Sequence, residues 1–592
     1  MPSNVLYLTG SPSVSVILWI FGGLVILCIA LSWLELGLSV PNFTSRGTSY
    51  WTPRSGGDKN YLEYIYQRPR LFMSCLFGIT FILFGNLAGN AIQFGVYMQH
   101  AISPQCAEDD ACFNKGAVIG WAVGILTLCS FLNVATRKLF IWFNIGFAAA
   151  KFLLVVVVAL LGIGYGTAHG NGCRTNLAWS NRGPGSDFGD IALAMFYGMY
   201  SYTGFEQPFY VLAEVDRPRE VFAKNVLLAL GAVIFFFPLT NVGYFCVVPY
   251  SGPDSVPTNM ALEFFDIIAR NGDQTADTSA SQRFVSVLLA FVIFGTIMAQ
   301  TFTGSRVKQE IGKEAVIPFA LAIATGTDSL HARWERHGWR LWRSSTPTRS
   351  IDRRHIEDHP EQVPMAATLL HLIFAVLLVI LAGVPPTKPS HAYRVLTFLR
   401  IFSIIVVLGL LTVAGLAYLK IDSWRHGIWG GSRPVDATGG ARPLAEQPER
   451  GGREWLRIRR WVPWLDWFPT FMASAVLLFL SVAIFAPPSQ IREDERAVPY
   501  WVNPLVGWLV LLVGVLWWAV LRIWQGMTGT RTEVVRKPTI AIVDDGRAAI
   551  TAEYIEHIPG ARLPGRTPPG ETPVETPEDG TAVEMDSYNE GA

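Results

Sequence analysis

Three helix-breaking residues fall inside one apolar stretch of the chain. Gly198, Gly204 and Pro208 lie within residues 190–212, where most other side chains are apolar. Glycine and proline weaken a helix, and proline also removes one backbone hydrogen bond. In membrane transporters such an interruption frees backbone amides and carbonyls to hold the charged ends of a small substrate. The alternative is a kinked helix that only packs against its neighbours, and the pattern alone does not separate the two.

Two ionisable side chains lie at membrane depth. Glu206 shares the stretch with the glycines, and Lys151 lies well inside the apolar run FNIGFAAAKFLLVVVV. An ionisable residue at this depth is costly and usually faces the protein interior or a water-filled cavity. Glu206 is therefore either a proton site or a hydrogen-bonded polar residue of the helix break. Lys151 either has a buried role or extends its ammonium group to the membrane surface.

Small and polar residues interrupt a second apolar run, FGNLAGNAIQFG. Asn86, Gly89 and Asn90 are the interrupting residues. Close packing of helices through small side chains is the favoured interpretation. For Asn90 we also predict a minor role in a substrate cavity.

The sequence predicts no metal site, no cofactor and no binding of nucleic acid. His355 and His359 have the spacing of a helical metal pair, but they lie in a charged loop without a third ligand. The seven cysteines contain no C-x-x-C pair, so neither a zinc site nor a disulfide framework is indicated. Cys106 and Cys112 lie in one predicted outer loop, where a local disulfide is feasible. The net charge is only +1.

Membrane-spanning helices must position these residues. The 592-residue chain is 51% hydrophobic and 16% charged, whereas about a quarter of a soluble protein is charged. Apolar runs of spanning length recur along the chain, and a backbone in lipid must satisfy its own hydrogen bonds. The sequence therefore predicts an all-α integral membrane protein with about eleven visible helices. We place them at 14–40, 71–98, 116–133, 141–164, 190–212, 225–248, 284–303, 364–384, 396–419, 466–486 and 504–523.

Lysine and arginine concentrate in every second connection between these spans. Because basic loops stay in the cytoplasm, the connections 41–70, 304–363 and 420–465 and the C-terminus are predicted to be cytoplasmic. Residues 14–523 form the predicted transmembrane domain. The tail 524–592, which ends in a segment rich in Pro, Thr and Glu, is predicted to be mostly disordered. The same rule places the N-terminus outside, although no signal peptide is visible at Met1.

Four segments together resemble a known transporter superfamily. They are WIFGGLVILCIALSWLELGLSVP (19–41), PRSGGDKNYLEYIY (53–66), MYSYTGFEQPFYVLAEVDRPREVFAKN (199–225) and SRVKQEIGKEAVIPF (305–319). In this order and spacing they resemble the amino acid–polyamine–organocation superfamily, in particular its L-type amino acid transporters and fungal methionine permeases. The resemblance covers about residues 1–525, with the first segment similar to the family's second helix and the third to its broken sixth helix.

The resemblance implies a transporter rather than an enzyme. It would have a 5+5 inverted-repeat fold and would carry neutral amino acids, methionine favoured, across the plasma membrane by alternating access. Backbone groups of Tyr200, Ser201 and Tyr202 would meet the amino group of the substrate. Tyr200 aligns with an aromatic gate, and Phe205 aligns with a position that is usually Trp. The implied binding residues are Tyr200, Ser201, Tyr202, Thr203, Gly204, Phe205 and Asn90, with Lys151 and Glu206 as coupling or structural residues.

Lys151 matches a lysine of the family's fifth helix. In sodium-independent members this ammonium group resembles a built-in replacement for the sodium ion of related symporters. It would brace the family's first helix against the fifth. The resemblance therefore implies transport that does not depend on sodium.

The resemblance departs from the family at the start of the chain. The family's first helix, with its G-S-G-I-F-type break, has no counterpart, and residues 1–13 resemble the stretch just after that break. We expect an incomplete permease whose first helix would be encoded upstream. The alternatives to a working permease are an inactive truncated form and a permease-like nutrient sensor. Animal L-type transporters bind a glycoprotein partner through a cysteine of an outer loop, whereas similarity to fungal permeases implies no obligate partner.

Overall fold

Helices make up most of the described chain. The computed structural model describes residues 2–40, 43–45, 48–50, 54–106, 108, 110, 112–169, 172–179, 187–215, 218–270, 278–331, 355–358, 362–383, 388–425, 467–489, 499–542 and 548–562. Within these ranges, nine helical segments are long and apolar enough to cross a membrane. This agrees with the predicted class of helical membrane protein.

The helix boundaries follow the predicted spans closely in most of the chain. The helices are α1 (Pro2–Thr9), α2 (Pro12–Ser39), α3 (Asp58–Ile65), α4 (Phe72–Phe84), α5 (Ala88–Ile102), α6 (Lys115–Ala135), α7 (Arg137–Ala168), α8 (Gly172–Asn176), α9 (Phe188–Tyr200), α10 (Gln207–Tyr210), α11 (Pro218–Val247), α12 (Met260–Arg270), α13 (Ser279–Lys313), α14 (Ala320–Ala324), α15 (Met365–Gly383), α16 (Pro389–Arg400), α17 (Gly409–Arg425), α18 (Phe468–Ala483) and α19 (Val502–Thr528).

Three predicted spans are interrupted helices. Span 71–98 divides into α4 and α5, and span 190–212 divides into α9 and α10. In span 396–419 a π-helix, Ile401–Leu408, joins α16 to α17. Such π segments occur frequently at functional sites.

The main apolar core packs around the second of these interruptions. Trp33 of α2 is fully buried and contacts the rings of Phe205, Phe209 and Tyr61, with ring centroids 5.2, 5.7 and 6.3 Å away. Aromatic pairs at these separations add about 0.5–1.5 kcal/mol each beyond the burial of their area. The region after Tyr200 is therefore anchored to α2 by its larger side chains.

Helix α13 extends into the predicted loop 304–363. It continues to Lys313, and its last turns are buried although they carry charges. Three of those charges are paired: Arg306 lies 2.8 Å from Glu214, and Lys313 lies 2.6 Å from Glu310. The loop prediction is wrong for these turns, because the partners that allow the charges to be buried lie on a distant part of the chain or on the same helix face.

The predicted connection 41–70 is also partly a buried helix. Helix α3 places Asp58 and Lys59 in the protein interior, and the Lys59 ammonium group pairs with Glu314 and Glu63. Burial raises the pKa of the Asp58 carboxyl well above its ordinary value, and the nearby negative charge of Glu206 raises it further. The predicted cytoplasmic side therefore has an ordered polar layer.

The first part of the tail forms a β-sheet, which the all-α prediction did not include. Strands β4 (Thr530–Ile542) and β5 (Ala548–Arg562) pair antiparallel, and β5 also pairs with β3 (His355–Asp358). The chain also forms a small β1–β2 hairpin, Phe43–Ser45 with Thr48–Tyr50. The sheet contacts the end of α13, because Arg536 pairs with Glu314 and the His557 ring nitrogen lies 3.1 Å from the Lys313 carbonyl. Seven of the thirteen residues in TRTEVVRKPTIAI are β-branched, which is typical of a strand. The structure thus corrects the prediction of disorder for this part; residues 563–592 lie outside the described chain.

Two disulfides form where no disulfide framework was indicated. Cys106 pairs with Cys112, as was feasible from their shared loop, and Cys173 pairs with Cys246. The second pair joins residues 73 positions apart, which spacing alone could not reveal. His355 begins strand β3, so the helical spacing that suggested a metal pair does not apply to it, and His359 lies outside the described residues.

Candidate functional site

The break between α9 and α10 consists of tight turns. The amides of Ser201, Tyr202 and Thr203 each donate to the carbonyl three residues earlier, at 3.3, 3.0 and 3.0 Å. Gly204 has φ +113°, a conformation that other residues rarely adopt. The glycine therefore allows the chain to leave the helix and to re-enter it at Gln207.

Gly204 is the residue of this break that faces free space. It is exposed, and a Cβ added to it would meet no atom within 4 Å. Its amide donates to Glu206 Oε2 at 2.7 Å. The backbone at Gly204 thus faces free space on one side while the Glu206 carboxylate fixes it on the other.

Glu206 is fully buried and hydrogen-bonded. Besides the Gly204 amide, it accepts from Gln207 Nε2 at 2.9 Å, and its Oε1 lies 3.3 Å from the Arg400 guanidinium group. Arg400 also donates to Gln300 Oε1 at 3.3 Å. Of the two interpretations of Glu206, these contacts favour the hydrogen-bonded residue that stabilises the break.

Several buried donors beside this ion pair are not satisfied by the described protein atoms. Arg400 Nε, Gln300 Nε2 and Thr397 Oγ1 have no hydrogen-bond partner among the described residues. Leaving a buried polar group unpaired costs about 1–3 kcal/mol. These donors are available to a polar ligand or to water.

Side chains of the break divide into packed and half-buried groups. Tyr202 donates its hydroxyl to the Trp19 carbonyl at 3.0 Å, and Phe205 packs on Trp33. Tyr200, Ser201 and Thr203 stay half-buried. The structure thus places the Tyr202 and Phe205 side chains in the core.

The Tyr200 side chain at the end of α9 contacts α16. Its hydroxyl lies 3.2 Å from that of Tyr393 on α16. The backbone around Tyr393 also packs on α5, since a Cβ added to Gly89 would lie 3.1 Å from the Tyr393 carbonyl oxygen. Close packing at Gly89 agrees with the favoured interpretation of the FGNLAGNAIQFG run. Asn90 is half-buried in the next position, and its role in a cavity stays a prediction.

Lys151 has a defined polar partner. Its ammonium group donates to Thr296 Oγ1 of α13 at 2.6 Å. The lysine thus connects α7 to α13 through a hydrogen bond that does not involve the residues of the break. Bracing of the family's first helix by this lysine stays a prediction.

Three residues near the break were not among the sequence-predicted site residues. Arg400 pairs with Glu206, Gln300 accepts from Arg400, and Thr303 of α13 donates to Gln207. Arg400 lies inside the predicted span 396–419, so its charge at membrane depth is a sequence signal of the same kind as that of Lys151. The neutral residues Gln300 and Thr303 carry no comparable signal.

Comparison with known proteins identifies the class and then the family. A helical membrane protein with a broken helix fits a transporter, and the amino acid permease family model matches residues 1–513. The chain therefore belongs to the amino acid permease family, and the predicted membership of the amino acid–polyamine–organocation superfamily is confirmed.

The curated relatives are distant. The high-affinity methionine permease of Saccharomyces cerevisiae is 23% identical over 530 residues, which cover 88% of this chain and 76% of the permease. The large neutral amino acids transporter small subunit 2 of Oryctolagus cuniculus is 26% identical over 328 residues, covering 54% of this chain and 55% of the transporter. The low-affinity methionine permease of Saccharomyces cerevisiae is 23% identical and is covered to 55% of its length. The chain thus spans about three quarters of the first relative and a little over half of the other two.

Proposed function

We propose that this protein is a plasma-membrane permease that carries neutral amino acids, methionine favoured, by alternating access. The observation that carries the proposal is the break at Ser201–Glu206, which opens on free space at Gly204. Membership of the amino acid permease family and similarity to two methionine permeases support the substrate class. The transport cycle needs no covalent chemistry.

The hydrogen bonds of the break indicate which backbone groups can bind the substrate. The Tyr200 carbonyl already accepts from the Thr203 amide and from its hydroxyl, at 3.0 and 2.7 Å. A carbonyl has two lone pairs, so this oxygen is occupied. We therefore assign the amino group of the substrate to the carbonyls of Ser201 and Tyr202.

Side chains around the break would bind the rest of the substrate and close the site. The Tyr200 and Tyr393 hydroxyls lie opposite each other at 3.2 Å, so their separation would open a passage past the break. Asn90, Thr203 and the apolar face of Phe205 would contribute to the cavity. In this proposal the site lies at the interface of two inverted five-helix repeats, and the C-terminal sheet is on the cytoplasmic side.

Counterflow of labelled methionine separates a permease from a permease-like sensor. The protein is reconstituted in vesicles that contain unlabelled methionine, and labelled methionine is added outside. A permease should accumulate the label transiently above the outside concentration, because exit of unlabelled substrate drives its entry. Saturable binding without accumulation would contradict transport and would favour the sensor.

The sodium-independent coupling is also a proposal. It is supported by Lys151, whose ammonium group is held inside the membrane domain by Thr296. Uptake should be equal in sodium and in choline medium, and Lys151→Ala should lower uptake strongly at normal surface expression. A strict need for sodium would refute this role of the lysine.

A further inference from the structure

A buried pair of basic residues lies away from the break. Lys308 of α13 is 0% exposed, and His371 of α15 is 1% exposed. The Lys308 ammonium nitrogen lies 3.1 Å from His371 Nδ1 and 3.3 Å from the Gly85 carbonyl oxygen. It also lies 5.1 Å from the centre of the Phe81 ring.

No carboxylate pairs with either residue among the residues that the structure describes. Helix α4 contributes the Phe81 ring and the Gly85 carbonyl, and α15 contributes His371. The nearby charges of α13 are engaged elsewhere, since Arg306 pairs with Glu214 and Glu310 with Lys313. A buried charge without a counter-ion is costly, which makes this ammonium group unusual.

The geometry limits the pair to one exchangeable proton. Two adjacent basic groups in a buried site cannot both be charged without a large penalty. When Lys308 donates to Nδ1, the imidazole of His371 is neutral and its own proton is on Nε2. The charged pair then holds one proton more than the neutral pair. After that proton leaves, the Lys308 amine can still donate to the Gly85 carbonyl.

The pair connects two elements that border the proposed substrate site. The Gly85 carbonyl lies at the break between α4 and α5, and the bond from a charged ammonium is roughly twice as strong as that from a neutral amine. Helix α13, which carries Lys308, also carries Thr303 and Gln300, the partners of Gln207 and Arg400. Gain or loss of the proton therefore acts on both elements.

We propose that Lys308 and His371 form the proton-binding site that couples proton movement to amino acid transport. The proposal rests on the proposed function. It assigns to a buried pair, and not to Glu206, the proton whose binding and release accompany the change between open states.

The test compares gradient-driven uptake with exchange. His371→Asn keeps an oxygen acceptor near the Nδ1 position but cannot bind the proton, and Lys308→Met keeps the length of the side chain without the amine. His169→Asn, at an exposed histidine, is the control. Each protein is reconstituted, and methionine accumulation is measured with an imposed pH gradient and, separately, by counterflow at equal pH.

The wild-type protein should accumulate methionine when a pH gradient is imposed. A gradient of about one pH unit supports about tenfold accumulation if one proton moves with each substrate. His371→Asn should lose this accumulation and keep counterflow within about threefold of wild type, a range that spans less than about 0.7 kcal/mol. His169→Asn should keep both. Lys308→Met should also lose the gradient-driven accumulation. If Lys308→Met does not fold, the result for His371→Asn alone tests the proposal.

Three results would overturn the proposal. His371→Asn could keep gradient-driven accumulation, or that accumulation could be lost only in Glu206→Gln, or the wild type could show counterflow at equal pH but no accumulation under a pH gradient. Absence of counterflow from the wild-type protein would instead refute the proposed function on which the inference rests. The two failures are thus distinguishable.

Discussion

Two broken helices of this protein differ in what lies against the break. At the α4–α5 break, a Cβ added to Gly85 would overlap the Phe81 carbonyl and ring, and Lys308 donates to the Gly85 carbonyl. Asn86 bonds both ends of this break, to the Leu83 carbonyl at 2.8 Å and from the Ala88 amide at 3.1 Å. At the α9–α10 break, Gly204 faces open space.

The comparison shows that a broken helix alone does not identify a binding site. Both breaks release backbone groups from the helical pattern, and buried groups of this kind must find other partners. At Gly85 the protein supplies those partners itself. At Gly204 it supplies the Glu206 carboxylate for the amide and leaves the adjoining space free.

The largest effect is expected from Gly85→Ala. The new methyl group would overlap backbone as well as ring atoms, and overpacking of this kind costs about 1–3 kcal/mol, occasionally more. Thermal unfolding of the purified protein should occur at a clearly lower temperature than in the wild type. Gly120→Ala, which adds a methyl group in open space on α6, is the matched control and should be neutral. Equal stability of the Gly85 variant and the wild type would show that protein atoms do not fill the space beside Gly85.

At the α9–α10 break we expect a substitution to lower transport more than it lowers expression of the protein. Gly204→Ala adds a methyl group without a clash, but a non-glycine residue at φ +113° is strained by about 1–3 kcal/mol. Methionine uptake should fall about tenfold, the factor for about 1.4 kcal/mol, at near-normal surface expression. Gly231→Ala, also in open space but without a positive φ, should keep normal uptake. Wild-type kinetics in Gly204→Ala would argue against a role for this backbone conformation.

A smaller effect is expected from Tyr200→Phe. This change removes the hydroxyl that faces Tyr393 and leaves the ring, and one hydrogen bond is worth about 0.5–1.5 kcal/mol. Uptake should change by about threefold, the factor for about 0.7 kcal/mol, and Tyr393→Phe should give a similar change. A double variant that behaves like either single variant would demonstrate that the two hydroxyls act together. Strictly additive effects would contradict contact between them in the working protein.

The smallest effect is expected for the pH dependence of stability at the charged end of α13. There the buried carboxylate of Glu314 has several basic partners, whereas Lys308 has no acidic one among the described residues. Burial alone would raise the pKa of Glu314, but the charges of Arg536, Lys59 and Arg54 together hold that pKa well below its ordinary value of 4.5. The carboxylate therefore stabilises the folded state fully above this ordinary value, and the contribution is lost as the pH falls further. Thermal stability should be flat near neutral pH and decline in acid, and Glu314→Gln should decline less. An equally steep acid decline in both proteins would assign the effect to other groups.

The sequence was sufficient for the class of fold and for the position of the open break. Apolar length identifies the spans, and Gly204 stands out because glycine is unfavourable inside an apolar helix. These signals are local, and each is contained within one stretch of sequence. The same reasoning could not separate the open break from a kinked packing helix, because that difference lies in what surrounds Gly204.

The features of the fold and the site that the sequence did not predict depend on contacts between distant parts of the chain. Glu206 and Arg400 are 194 positions apart, and Lys308 and His371 are 63 apart. The last turns of α13 resemble a loop in sequence because their charges are hydrophilic in isolation. Arg306 and Lys313 are buried there through ion pairs with Glu214 and Glu310. Strand β4 belongs to a tail whose later composition is typical of disorder, although its own residues are rich in the β-branched types that favour a strand.

Protection of a single cysteine at the break tests the position of the substrate most directly. The three free cysteines, Cys28, Cys75 and Cys129, are buried, so Thr203→Cys can be labelled with a membrane-permeable maleimide over a low background. Methionine should slow this labelling in a saturable manner, at the concentrations that saturate uptake, while Asp254→Cys on an exposed turn should label at the same rate with and without it. Unchanged labelling of Thr203→Cys in a variant that still transports methionine would contradict a substrate site at the α9–α10 break.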